Sequence, residues 1–413
     1  MTRNTNFVIL SFGVVDSKSD NVLSAKGNHS LGVVKGNESY ELLNQAFGDI
    51  FNQINHLNKL KHIKVGEKIV NLEIFFGGDY KFLLLVFGLQ NATSNYSCLW
   101  CKVHKDKRWD MSHDISYYTS VQLKRSIKDI HDLAGKSKNN YCCVARPLVE
   151  IDLDHVICDE LHLMLRVVDV LIDNLMEDVL EWDKTEDMCK KRSDERGIHL
   201  NNLISTIRSC GVSFNIWQKK SAEGNASGKY ECTSLLSHDK KILLQQLPRK
   251  LSTAIQEDSC SEVIQIWQDF YELYKTINKE HLSEEEINNY FDKAKAWVKL
   301  FISLSPKRKG YNKSRVTPYL HIMVYHVPQF LRLFKTMRIF SGQGVEKNND
   351  VARSTVLRKS NKLDSTSDVL KLEFRQRQLR EQERNKRTYE KVDGSYWESE
   401  IFKKRQKRRL DHI

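Results

Sequence analysis

Six side chains in this sequence have types and spacings suited to chemistry: Cys98, Cys101, His321, His326, Asp79 and Glu346. A Cys-x-x-Cys pair offers two thiolates at the separation zinc uses, which is half of a tetrahedral site. The other half is available at Tyr319-Leu-His-Ile-Met-Val-Tyr-His-Val-Pro328, where four residues separate His321 from His326 and prolines 318 and 328 bracket the segment. Read alone, Cys98 and Cys101 are equally two core thiols, and two histidines near a helix end are equally hydrogen-bonded structural groups. Read together they form one complete Cys2His2 set. His104 extends the first motif to Cys-x-x-Cys-x-x-His and is a candidate replacement ligand.

The carboxylates are of a different kind. Asp79 follows Gly77-Gly78 at the end of an apolar run, a setting that exposes a side chain at a strand end; aspartate there also caps a following helix. Glu346 lies in the glycine-rich approach Phe340-Ser-Gly-Gln-Gly-Val-Glu346 and opens a late helix, where a glutamate also suits the helix dipole. Asp154 and Asp159 read as a cap and a surface residue, and His162 as structural.

Elements that position these residues follow from periodicity. Asn6 to Val15 is a β-branched and aromatic strand, with Ser30 to Lys35 as its antiparallel partner and Ser17 to Gly27 turn-like between them. Tyr40 to Leu60 carries Leu42, Leu43, Ala46, Phe47, Ile50, Phe51, Ile54 and Leu57 at helical spacing. A strand is predicted at Lys68 to Phe76, a helix at Tyr80 to Leu89, a short strand at Pro147 to Asp154 and a long helix at Asp159 to Trp182. The pattern stays helical to about Leu304, with Gly224 to Gly228 as its clearest loop. The end, from Leu363 onward, is helical and charged.

Composition narrows the classes. The 413 residues carry a net charge of +12, and Lys371 to Ile413 holds 14 basic and 8 acidic residues, half of that excess. This favours an anionic partner, and nucleic-acid contact or nuclear import over a membrane surface. Nine cysteines in no regular framework and no secretory pattern at the amino end predict reduced thiols in cytosol or nucleus, and the apolar runs are too short to span a bilayer.

Strand, strand, helix, strand with a terminal aspartate, helix: this is the order of an RNase H-like mixed-sheet core that lacks its first strand. The chain resembles the catalytic core of the V(D)J recombinase and the Transib-type transposases, which are DDE-type DNA-cutting enzymes. Asp79 lies 19 residues before Cys98, His321 and His326 are five apart and followed by Val-Pro, and Glu346 is 20 residues after His326 in a Gly-x-Glu setting. The stretch Asp154 to Asp159, DHVICD, also looks like a family segment ahead of a helix. The resemblance covers about Phe75 to Leu379 with low residue identity. It implies zinc at Cys98, Cys101, His321 and His326, and magnesium or manganese at Asp79 and Glu346. It also implies DNA strand nicking and transfer, and a homodimer.

On that reading residues 1–102 are a partial RNase H-like core and 103–318 a mainly helical insertion. Residues 319–370 hold the zinc histidines and the glutamate helix, and 371–413 form a basic helical tail. The departure is at the amino end, where nothing from Met1 to Val15 is acidic and Asp16 falls at the far end of the second core strand. Two metal ions held by two carboxylates instead of three would bind weakly. The expectations are therefore a transposase-derived, nuclear, DNA-binding protein, cutting if its triad is complete; a catalytically silent zinc-stabilised DNA binder; or a helical protein with fortuitous spacings.

Overall fold

The computed structural model describes residues 6–15, 20–191, 193–220, 226–360 and 362–381. Their fold is mixed α/β, mainly helical, with three small antiparallel sheets of two strands each. Strand β1 (Phe7–Gly13) pairs with β2 (Asn28–Lys35), with a register shift between Leu10 and Ser11. Helix α1 (Tyr40–Leu60) follows, capped by Ser39 and buried along Leu43, Phe47 and Phe51, the stripe that periodicity predicts. It ends at Lys61 in a left-handed conformation.

The predicted strand from Lys68 to Phe76 divides in two. Gly66, at φ +61°, turns the chain so that β3 (His62–Val65) pairs with β4 (Lys68–Asn71) as a tight hairpin. The remainder runs on to Phe76, which makes a parallel bridge with Val156 and leads to α2 (Tyr80–Val86). A second correction concerns Pro147 to Asp154, which forms no strand. Its backbone is satisfied by side-chain amides of α1: Asn55 donates to the Leu148 carbonyl (3.1 Å) and accepts from the Glu150 amide (2.6 Å), and Asn58 donates to the Glu150 carbonyl (2.9 Å). Groups satisfied this way no longer require a ladder. Extended pairing comes later, where the amides of Phe76 and Ile157 exchange bonds with the His155 and Phe76 carbonyls.

Helices supply the rest: α3 (Ile127–Leu133), α4 (Glu160–Asp187), α5 (Ile198–Arg208), then the hairpin of β5 (Ile216–Lys220) and β6 (Ala226–Cys232), a strand pair that the helical reading of this region passes over. The predicted loop at Gly224 to Gly228 lies partly outside the described residues; its last three open β6. Next come α6 (Ser237–Gln246), α7 (Cys260–Ile277), α8 (Glu284–Ser303), α9 (Pro318–Tyr325), α10 (Val327–Phe334), α11 (Gln343–Arg358) and α12 (Ser365–Glu381). The basic tail beyond Glu381 and the carboxylate at Asp16 lie outside the described residues. Among the described residues no helix is long and apolar enough to cross a membrane.

The core is centred on α4, whose Leu163, Met164, Val167, Val168, Leu171 and Leu175 are fully buried. Helices α5, α6, α7 and α9 pack around it, with Trp267 and Trp297 filling the space beyond. On the same helix Asp178 is buried, and desolvation pushes its carboxyl up to about 7 against the opposing pull of Arg308.

Candidate functional site

Two clusters converge on the junction of α2, α4 and α9. The first is the Cys2His2 set. Cys98 and Cys101 sit in the loop after α2, and that loop is fixed from several sides. The buried Arg125 guanidinium donates to the carbonyls of Cys98, Tyr96 and Tyr141 and to the Cys143 sulfur. The Trp100 indole N–H donates to the carbonyls of Leu153 and Val156. On the opposite wall, Thr317 caps α9 and Pro318 occupies its first turn, a position where no amide is needed. His321 projects from α9. Pro328 cannot donate to the preceding turn, so the helix breaks at His326 and restarts as α10, which leaves His326 at the joint.

All four side chains are buried, and their donor atoms lie within 4.8 Å of one another. His326 Nε2 is 3.3 Å from Cys98 Sγ, and His321 Nε2 is 3.3 Å from Cys101 Sγ. A tetrahedron built on zinc–sulfur and zinc–nitrogen bonds of about 2.3 and 2.0–2.1 Å has sulfur–nitrogen edges of roughly 3.5 Å, so the donor set fits this ion. His326 Nδ1 lies 3.2 Å from Gln329 Oε1; donation of Nδ1–H there leaves the Nε2 lone pair for a cation. His321 Nδ1 has no hydrogen-bond partner, and the edge of Tyr118 packs against that ring.

Burial pushes both thiols up. For Cys98, hydrogen bonds with Cys101 and both histidines outweigh burial and hold it well below the ordinary thiol range, while Cys101, buried beside that charge, is pushed well above it. Burial lowers the His321 imidazole. A thiolate with neutral imidazoles is what a zinc ion needs, and the ion itself would deprotonate the second thiol. His104 is not part of the set: its Nδ1 accepts from the Asp106 amide at 3.4 Å.

The second cluster is acidic. Asp79 caps α2, accepting from the Phe82 amide at 2.8 Å. Asp159 caps α4 and is buried; Oδ1 accepts from the amides of Leu161 (3.1 Å) and Gly342 (2.8 Å), and Oδ2 is bound by His162 Nδ1. The other nitrogen of that ring, Nε2, stands 3.6 Å from Glu346 Oε1. Burial lowers the His162 imidazole, but the Asp159 carboxylate, with Asp79 and Glu346 adding their charge, raises it above its usual value. Glu346 is raised by burial, with Asp159 adding to the rise and His162 opposing it. Asp154 is a surface residue paired with Lys124 at 2.7 Å.

Sequence reading names Asp79 and Glu346 but not the Asp159–His162 pair that faces Glu346. The only available signal was an acid and a histidine three apart at a helix start, which is also ordinary capping. As a site for a hard divalent cation the cluster is incomplete. Asp79 and Glu346 are available, Asp159 is already engaged on both oxygens, and among the described residues the Cys/His set is the only close group of three or more such donors. The three-carboxylate set that two metal ions require is not assembled there.

No protein-family model matches this chain, and no curated protein matches it.

Proposed function

We propose that the chain is a zinc-clasped DNA-binding protein of the DDE recombinase and transposase type, built on an RNase H-like core. The observation that carries this reading is convergence. The His162 imidazole is bound by Asp159 on one nitrogen and faces Glu346 on the other, 184 positions away in sequence, with the charge of Asp79 acting on the same ring, and a buried Cys2His2 set joins the loop after Asp79 to the segment before Glu346. Fortuitous spacing has no reason to bring both sets together. The element order agrees with it: an antiparallel pair, a helix, then an extended segment that reaches Asp79, bridged to Val156 and not to the β1–β2 pair.

In this reading zinc is structural. It ties the cysteine loop after α2 to the α9–α10 joint and holds the surroundings of Asp79 and Glu346 in place. The net charge of +12 serves phosphate contacts, and the basic stretch Lys403 to Arg409 serves nuclear import or DNA contact. A homodimer follows from the type of protein proposed. Strand cutting needs a third carboxylate beside Asp79 and Glu346; a silent DNA binder does not.

One experiment separates the two. Supercoiled plasmid is incubated with the purified chain and magnesium or manganese. Nicking that disappears in Asp79→Ala and in Glu346→Ala establishes an enzyme. Retained plasmid binding without nicking establishes the silent binder. Absence of both binding and zinc overturns the reading.

A further inference from the structure

The β3–β4 hairpin stands apart from everything the two clusters explain. Of residues 61–71 every one is exposed except the half-buried Ile63. The hairpin is held at its base by the Leu72 amide donating to the Lys61 carbonyl at 2.8 Å and forms no ladder with another strand. Two-stranded hairpins are marginal in water unless something covers a face. Here pairing of Ile63 with Val70 and of Lys64 with Ile69 leaves apolar and basic side chains on both faces, with Val65 57% and Ile69 71% exposed.

The charge is one-sided. Lys61, Lys64 and Lys68 face a single acid, Glu67, and no ion pair engages these lysines among the described residues. A two-stranded ribbon is one of the two element types the DNA major groove admits. Placement agrees with this. Asn71 is eight residues before Asp79, a reach of at most about 28 Å, which is less than one turn of duplex at roughly 34 Å.

Resting on the DNA-binding reading above, we propose that this hairpin is a duplex-contacting finger. Its lysines take backbone phosphates, and the ribbon enters the groove by the face that carries His62, Lys64 and Ile69, with its base at Asn71 within one turn of the Asp79 site.

The test uses the full chain and a fluorescent random-sequence duplex, with binding followed by anisotropy across a salt series. Three proteins are compared: wild type, Lys61→Ala/Lys64→Ala/Lys68→Ala, and the charge-matched Lys184→Ala/Lys293→Ala/Lys299→Ala, whose lysines are exposed elsewhere. Each phosphate contact contributes about 0.9 to the slope of log affinity against log salt. The hairpin variant should lose about 2 to 3 from that slope, and the control far less. Zinc content and circular dichroism should match wild type in both, because the altered residues are on the surface. An unchanged slope, or equal losses in hairpin and control, overturns the finger. If hairpin variants bind DNA normally but sediment as a smaller species, the ribbon pairs with a second copy and the proposal falls. A wild-type chain that binds no duplex takes down the broader reading as well, so the two failures are distinguishable.

Discussion

At the scale of single residues, the four buried donors make the firmest forecast. Purified protein should carry about one zinc per chain by elemental analysis. Cys98→Ser or His326→Ala should abolish it and lower thermal stability by about 3–5 kcal/mol, since removing one partner leaves the others buried and uncompensated. Full metal content in either variant would contradict the assignment. Asp178 gives a forecast of opposite sign. Its carboxyl titrates at about 7 when folded and near 3.9 when unfolded, so the native state favours the proton. The stability linked to it is fully present below about pH 4 and is lost as pH rises toward 7, roughly 4 kcal/mol in all. Asp178→Asn should therefore stabilise the protein at pH 8 and flatten its pH profile in denaturant melts. The Cys2His2 set was legible in sequence because each half of it is local. His162 was not, because its two carboxylate partners are reached in different ways: Asp159 is three residues away, as any cap would be, whereas Glu346 is brought in only by the fold.

Between elements, α11 is placed by close approach. A Cβ on Gly344 would stand 2.0 Å from the Val22 carbonyl oxygen, which is backbone and cannot swing aside. Glycine to alanine within a helix ordinarily gains up to about 1 kcal/mol. Here overpacking of about 1–3 kcal/mol opposes that gain, so Gly344→Ala should lower the melting temperature; a rise would show that the helix is not seated there. Gly342 is tight in a different direction, its Cβ meeting Asp159 Oδ2 at 2.4 Å. The Gly342 amide also donates to that carboxylate, so one residue joins the start of α4 to the start of the Glu346 helix. Strong periodicity made α1 and the first strand pair readable. The 147–154 segment misled because its apolar alternation is that of a strand, while its hydrogen bonds go to Asn55 and Asn58, 92 to 95 positions upstream. The β3–β4 hairpin was not legible because its first strand, His62–Val65, is short and lies before the Lys68 to Phe76 run that reads as one strand.

For the whole molecule, the Cys2His2 set makes the helical region between Cys101 and His321 a closed excursion, pinned where it leaves and where it returns. Chelation should therefore do more than free two loops. Treatment with a metal chelator should raise proteolytic sensitivity at both 97–103 and 317–328, and weaken the duplex binding proposed above, while most of the helical circular dichroism remains. Loss of all helical signal at once would mean that the metal holds the entire chain. The same closure has a consequence in time. The two cysteines leave the ribosome some 225 residues ahead of His326, and at about 5–20 residues per second that is a wait of roughly 11 to 45 seconds. During synthesis both thiols are bare, and their partners do not yet exist. For that interval a metal ion can meet only the Cys98–Cys101 half of the set, and the pair is open to oxidation until His321 and His326 have been made.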